Sequence, residues 1–273
     1  MRADGHRYFV ACIRKHLRFA RVLRIDHVMQ LHRMDWVPGG DARDGVYVRY
    51  PAEELYAVLC LESCRAGAVI VGEDLGTVPG AVRRGMRRHG LFGRYVAQFE
   101  WREAAKGGEA AKGGGALVPG PVRAGAVASS GTHDTPTYAG WWRGRDAEIR
   151  GEEGILTPEE VTEEVAGRAR MRAELVRGLR KGHEFEVELE FEAEPEVAVV
   201  ALSGLHRHMG RSGAGLVLAS MEDLWLEREP QNVPGTAGER NWRRRSARPL
   251  EALDGGRPAA LLEELDEARR EGE

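Results

Sequence analysis

A chain of 273 residues with 42% hydrophobic and 30% charged residues has the composition of a globular protein. Its formal charge of −3, without a long basic tract, argues against nucleic acid as a partner. No apolar stretch reaches the length needed to cross a bilayer and the N-terminus lacks the apolar core of a signal peptide, so no membrane partner and a cytoplasmic location are expected.

The first element in chain order is a helix from Asp4 to Leu17, which leads into a strand near 20–25 that ends at Asp26. Cys60 and Cys64, four apart in Tyr56–Cys64, fall on one side of a helix. With Cys12 they make an odd count, and a lone pair is poor evidence for zinc, so no metal is expected. The run Ala68-Val69-Ile70-Val71-Gly72 is a second strand and ends at Glu73, and a third lies near 94–99. Residues 104–121 are glycine-rich and read as a flexible loop, since glycine at this density disfavours both helix and strand. A strand near 125–130 follows and leads to His133-Asp134. From Thr157 to Leu179 a charged helix is predicted, with Thr157 as N-cap and Pro158 in the first turn. Residues 184–196 alternate Glu with Phe, Val and Leu and fit either an exposed strand or an acidic loop. A fifth strand near 215–220 precedes Glu222-Asp223, and a helix from Pro258 to Glu271 closes the chain.

Between successive acids lie roughly 45 to 90 residues, room for a crossover helix and a loop, so the strands are expected to run parallel. Polar residues at the ends of repeated parallel strands are what a (β/α)8 barrel presents at its catalytic face, which places the chemistry on Asp26, Glu73 and Asp134. Reaction at a glycosidic carbon needs one carboxylate to attack or stabilise an oxocarbenium-like centre and a second carboxyl group to protonate the departing oxygen. Asp26 suits the first task, because Arg24 lies on the same face of its strand and favours the ionised form. Glu73 suits the second, because the adjacent Asp74 is a like charge that favours the protonated form. Asp134 is then available to hold sugar hydroxyls. Trp36, Trp141, Trp142 and Trp225 fit either sugar platforms or core packing.

The segments Arg24-Ile25-Asp26-His27, Gly72–Pro79 and Gly131–Thr135 resemble, in order, the three catalytic motifs of the 4-alpha-glucanotransferases, or amylomaltases, of glycoside hydrolase family 77. Glu222-Asp223-Leu224, Gln231–Thr236 and Asn241-Trp242-Arg243-Arg244 are similar to that family's closing segment, and the resemblance runs from about residue 4 to residue 250. It implies a cofactor-free, retaining double displacement that moves a segment of an α-1,4-glucan or maltooligosaccharide donor to a glucose or glucan acceptor. Asp26 would be the nucleophile, Glu73 the general acid and then base, and Asp134 the transition-state stabiliser. Arg24 and His133 match residues that hold the reacting glucose, and Asp74 and Asn232 match positions near the sugar cleft.

The family's N-terminal region, which supplies the first barrel strands, has no counterpart here. The expected fold is therefore an incomplete α/β barrel with about the last five strands and the first three missing. Residues 1–250 would form the partial catalytic barrel with a helical and acidic insertion near 147–196, and 251–273 a helical tail. A missing N-terminal barrel segment becomes a potential partner. Two rival readings stand beside this one: a metal-dependent barrel lyase or hydrolase, disfavoured by the Arg24 guanidinium beside Asp26, and a non-catalytic remnant or one piece of a split enzyme.

Overall fold

The computed structural model describes residues 2–103, 117–181, 194–236 and 240–272. The chain forms two compact units, Met1–Arg94 with Gly125–Val127, and Tyr95–Ala124 with Ala128–Glu273.

In the first unit, helix α1 (Arg7–Leu17) leads to strand β1 (Val22–Ile25) and then to a hairpin of β2 (Arg33–Trp36) and β3 (Val46–Arg49). Helix α2 (Ala52–Ala66) returns the chain to strand β4 (Val69–Gly72), and helix α3 (Gly80–Arg88) leads to β5 (Gly93–Val96). Strands β1 and β4 pair in parallel, with Val22 opposite Val69 and Ile25 opposite Gly72, and a parallel bridge joins Val71 to Phe92 at the head of β5. The core is built from α1, α2, α3 and the β-strand residue Ile70: Ile13, Leu17, Leu55, Leu59, Val82 and Met86 close around the fully buried ring of Tyr56. Burial pushes that phenol up to about 12, and its ring stacks on His89 at 4.8 Å. Gly85 on α3 faces Tyr56 so closely that a Cβ there would sit 2.9 Å from the ring, so glycine sets the distance between α3 and α2.

The second unit contains the hairpin of β6 (Trp101–Glu103) and β7 (Leu117–Pro119), strand β8 (Ala126–Ser129), and helices α4 (Tyr138–Arg143), α5 (Arg145–Glu152) and α6 (Pro158–Lys181). Helix α7 (Glu194–Gly210), strand β9 (Leu216–Leu218), α8 (Met221–Trp225) and α9 (Gly256–Glu271) complete it. Strands β5, β8 and β9 form a three-stranded sheet in that order, and the boundary between the units runs through β5 and β8. Tyr138, Trp142, Leu175, Leu202, Leu205 and Leu224 are buried in the core of this unit. Thr157 caps α6 as predicted: its hydroxyl accepts from the Glu160 N–H at 3.3 Å, and the Glu160 carboxylate accepts from the Thr157 N–H at 2.8 Å, the reciprocal pair that satisfies two helix-end donors.

All five expected strands are present, together with the helices expected over 4–17, 157–179 and 258–271. Three details differ. The third strand stops at Val96, where a 3-10 turn, Ala97–Phe99, begins. The expected loop 104–121 contains strand β7 at its end, paired with β6, because Leu117-Val118 supplies β-favouring residues after the glycines; residues 104–116 lie outside the described part of the chain. The undecided segment 184–196 also lies largely outside it, apart from the opening of α7 at Glu194. The closing helix α9 packs on α7, where Glu264 takes the Ser203 hydroxyl and the Arg207 guanidinium, and Gly210 admits Ala268.

Candidate active site

In the first unit the in-register pairing of β1 and β4 brings the residues that follow them, Asp26 and Glu73, to the same ends of neighbouring strands. The Glu73 N–H donates to the Ile25 carbonyl at 2.9 Å and the Val28 N–H to the Glu73 carbonyl at 3.0 Å, which extends the pairing past the strands. Asp26 is 72% exposed and carries an ion pair with Arg24 of 2.6 Å, as the two-residue spacing predicted. Its carbonyl accepts from the Gln30 side chain at 2.7 Å. His27 adopts a left-handed conformation, φ 47°, that turns the chain into the 3-10 helix Val28–Leu31 and aims its N–H at Glu73. Both carboxylate oxygens of Glu73 are thereby engaged, one by His27 N–H at 2.9 Å and the other by Leu75 N–H at 2.7 Å.

Asp74 takes the opposite side. Its carboxylate is buried, accepts from the Arg94 N–H at 2.8 Å and pairs with Arg83 at 3.4 Å. The like charge that the sequence sets beside Glu73 is itself met by Arg83 and by the Arg94 N–H. In this chain Asp74 ties β4 to β5. Successive residues of an extended segment alternate faces, which is why Glu73 and Asp74 point to opposite sides. Arg94, which sequence reasoning missed, is a further cation beside Arg24, Glu73 and Asp74. Burial pushes its guanidinium below the usual range, repulsion from Arg24 adds to that, and attraction from Glu73 and Asp74 opposes it. The signal available was an arginine inside the apolar run Gly93–Val96.

In the second unit β8 delivers the turn Thr132–Thr135. Thr135 Oγ1 accepts from the Thr132 N–H at 2.8 Å and donates to the Thr132 carbonyl, and Thr132 Oγ1 accepts from the Asp134 N–H at 3.1 Å. A Cβ at Gly131 would lie 2.6 Å from Thr135 Oγ1, so this turn closes only over glycine. His133 Nε2 lies 3.1 Å from Asp134 Oδ2, and Asn232 donates its amide to Asp134 Oδ1 at 2.7 Å. The structure thus gathers His133, Asp134 and Asn232, three of the predicted residues, into one half-exposed cluster, with the Trp242 ring 5.6 Å from His133.

A second missed residue supports this turn. Asp223 is buried, and its two carboxylate oxygens take the Ser130 hydroxyl and, at 2.7 Å, the Tyr138 N–H. It therefore grips the chain just before and just after the turn that carries His133 and Asp134. Burial pushes its carboxyl above the usual range, an effect the Ser130 hydroxyl and the Tyr138 N–H work against. Of the tryptophans left open, Trp141, Trp142 and Trp225 are core residues, whereas Trp36 is exposed and donates its indole N–H to the Tyr50 hydroxyl at 2.9 Å. Among the described residues no three His, Cys, Asp or Glu side chains cluster closely enough to hold a metal ion.

Residues 1–250 match the family model of glycoside hydrolase family 77, 4-alpha-glucanotransferase. The 4-alpha-glucanotransferase of Haemophilus influenzae is 33% identical over 253 residues, covering 92% of this chain and 35% of that protein. That of Mycobacterium tuberculosis is 36% identical over 274 residues, covering 97% of this chain and 34% of its own length. The chain therefore spans about a third of the length of the curated relatives it matches. Among solved structures, amylomaltase from Corynebacterium glutamicum aligns with a TM-score of 0.78 at 26% identity, over 98% of this chain and 38% of the other. The amylomaltase of Streptococcus agalactiae in complex with acarbose shares the fold, with a TM-score of 0.66 at 20% identity, over 98% of this chain and 45% of the other. The order of the motifs, the match over residues 1–250 and the likeness to amylomaltases together make this chain a member of the 4-alpha-glucanotransferase family, glycoside hydrolase family 77.

Proposed function

We propose that these residues are the catalytic part of a 4-alpha-glucanotransferase that moves segments of α-1,4-glucans to the 4-hydroxyl of a glucose or glucan acceptor. The observation that carries this reading is the family match over residues 1–250, which includes Asp26 and Glu73 at adjacent parallel strand ends. The acarbose held by the Streptococcus agalactiae protein agrees with a glucan-like ligand.

In the first half-reaction an Asp26 oxygen bonds to C1 of the donor glucose as the C1–O4 bond breaks, and Glu73 gives its proton to the departing O4. In the second, the acceptor 4-hydroxyl attacks C1, its proton passes to Glu73, and the C1–Asp26 bond breaks, so configuration is retained. This requires the two carboxyl groups to lie about 5 to 5.5 Å apart. Arg24 orients Asp26, and the main-chain donors of His27 and Leu75 fix the direction of Glu73. Asp134, with His133 and Asn232, holds the hydroxyls of the reacting glucose, whose hydrogen bonds strengthen in the transition state.

The same proposal extends to the architecture. Strands β1, β4, β5, β8 and β9 are read as five of the eight strands of a (β/α) barrel over 1–250, with α5 and α6 in an insertion near 147–196, and the other three strands are supplied by sequence outside these 273 residues. Maltotriose disproportionation tests both parts. The chain alone should produce little glucose, and fusion to the N-terminal segment of a relative should raise turnover. Asp26→Ala in the fused protein should then lower it by on the order of 10⁴-fold or more. Strong turnover by the 273-residue chain alone contradicts the incomplete barrel. An Asp26→Ala variant that keeps activity contradicts the chemistry.

A further inference from the structure

Two unfavourable features meet at Trp242. It is a bulky residue in the left-handed conformation, φ 60°, where its Cβ is crowded by the main chain. Its indole is also 62% exposed. A strained backbone persists only where its surroundings over-determine it, and such positions concentrate at functional sites. Here the surroundings are explicit. The Trp242 N–H donates to the Gln231 carbonyl at 2.8 Å. The preceding Asn241 accepts from the Val233 N–H at 3.0 Å and donates to the Thr236 carbonyl and hydroxyl at 3.1 and 3.0 Å. Both ends of the segment that carries Asn232 are thus pinned together.

This clamp holds the indole against the His133 ring, at 5.6 Å and 47°, beside Asp134, to which His133 and Asn232 are both joined. Core packing does not explain it, since Trp141, Trp142 and Trp225 are buried and Trp242 is not. An imidazole, a carboxylate and a carboxamide suit sugar hydroxyls, and a flat apolar face next to them suits the C–H face of the same ring.

We infer that Trp242 is a sugar-stacking residue of the His133–Asp134–Asn232 site and takes one glucose unit of an α-1,4-glucan against its indole face. This rests on the glucan reading proposed above.

Maltoheptaose titrated into the 273-residue chain, followed through the indole N–H resonances with Trp242→Phe as the assignment variant, tests the inference. The Trp242 resonance should move. Trp242→Ala should raise Kd about 2- to 10-fold, as the loss of one aromatic contact predicts, and Trp242→Phe should recover part of it. Trp242→Gly, whose backbone suits this conformation, should unfold no earlier than wild type yet bind as weakly as the alanine variant. Unchanged binding in Trp242→Ala, where Asp134→Ala has lost it, overturns the stacking role and leaves the glucan reading standing. A Trp242→Gly variant that melts well below wild type overturns it as well, by making the residue structural. No binding by wild type overturns the stacking role, and maltotriose disproportionation by the fused protein then decides the glucan reading separately.

Discussion

Asp26 and Glu73 are fixed largely by main chain: their strands pair in register, and the two Glu73 oxygens rest on the N–H groups of His27 and Leu75. Asp134 is held differently. Its partner Asn232 comes from 98 residues further on, and its turn is gripped by the buried Asp223. Backbone pairing tolerates side-chain change, whereas a turn fixed by remote side chains depends on each of them. The first site is therefore robust to substitution around it, and the second is the place where single changes reach the chemistry through structure.

The sharpest way to break this contrast is at Asp223. Asp223→Ala removes the acceptor of a buried hydroxyl and a buried N–H, and the expected loss is about 2 to 4 kcal/mol of stability in chemical denaturation. Asp223→Asn should recover most of it, because its carbonyl oxygen still accepts from Tyr138 and its amide donates to the Ser130 oxygen. In the first site, Arg24→Ala removes a pair between exposed side chains and should leave the midpoint unchanged. Equal losses in Asp223→Ala and Arg24→Ala would erase the distinction.

A smaller effect separates the units by pH. His206 on α7 is fully buried, with neither ring nitrogen hydrogen-bonded among the described residues, and burial pushes it down from 6.5 to about 4 against the pull of Glu264. A folded-state value below the unfolded one means that its contribution to stability is present above about 6.5 and is lost as pH falls through about 4. Roughly 2 kcal/mol should disappear between pH 7 and pH 5. The buried Glu62 of the first unit, held low by Arg14, is lost only further into acid. Hydrogen exchange at pH 5 should therefore find amides of α7 and α9 opening before those of α1 and α2. The reverse order would contradict it.

What was legible in the sequence follows the same division. Each strand carrying an acid was a short apolar run with an abrupt polar end, and the Arg24–Asp26 pair followed from two-residue spacing, so β1, β4 and β8 were readable. The inward turn of Asp74 was implied by alternation after β4, but a pair of adjacent acids invites the opposite reading. The β2–β3 and β6–β7 hairpins were not readable because β2 (Arg33–Trp36) and β6 (Trp101–Glu103) carry charged residues in place of an unbroken apolar run. The roles of Asp223 and Arg94, and the exposure of Trp242, depend on contacts between remote segments, which spacing alone does not encode.

The central claim is that Asp26 forms the covalent intermediate and Glu73 the proton relay. Maltotriosyl fluoride, whose leaving group needs no proton, should glycosylate a Glu73→Gln variant of the N-terminally completed protein, and the intermediate should accumulate because the base for the second step is gone. Mass spectrometry of the digested protein is expected to find the maltotriosyl mass on the peptide containing Asp26. The same mass on Asp134, or turnover of the fluoride by an Asp26→Ala variant at the wild-type rate, would contradict the account.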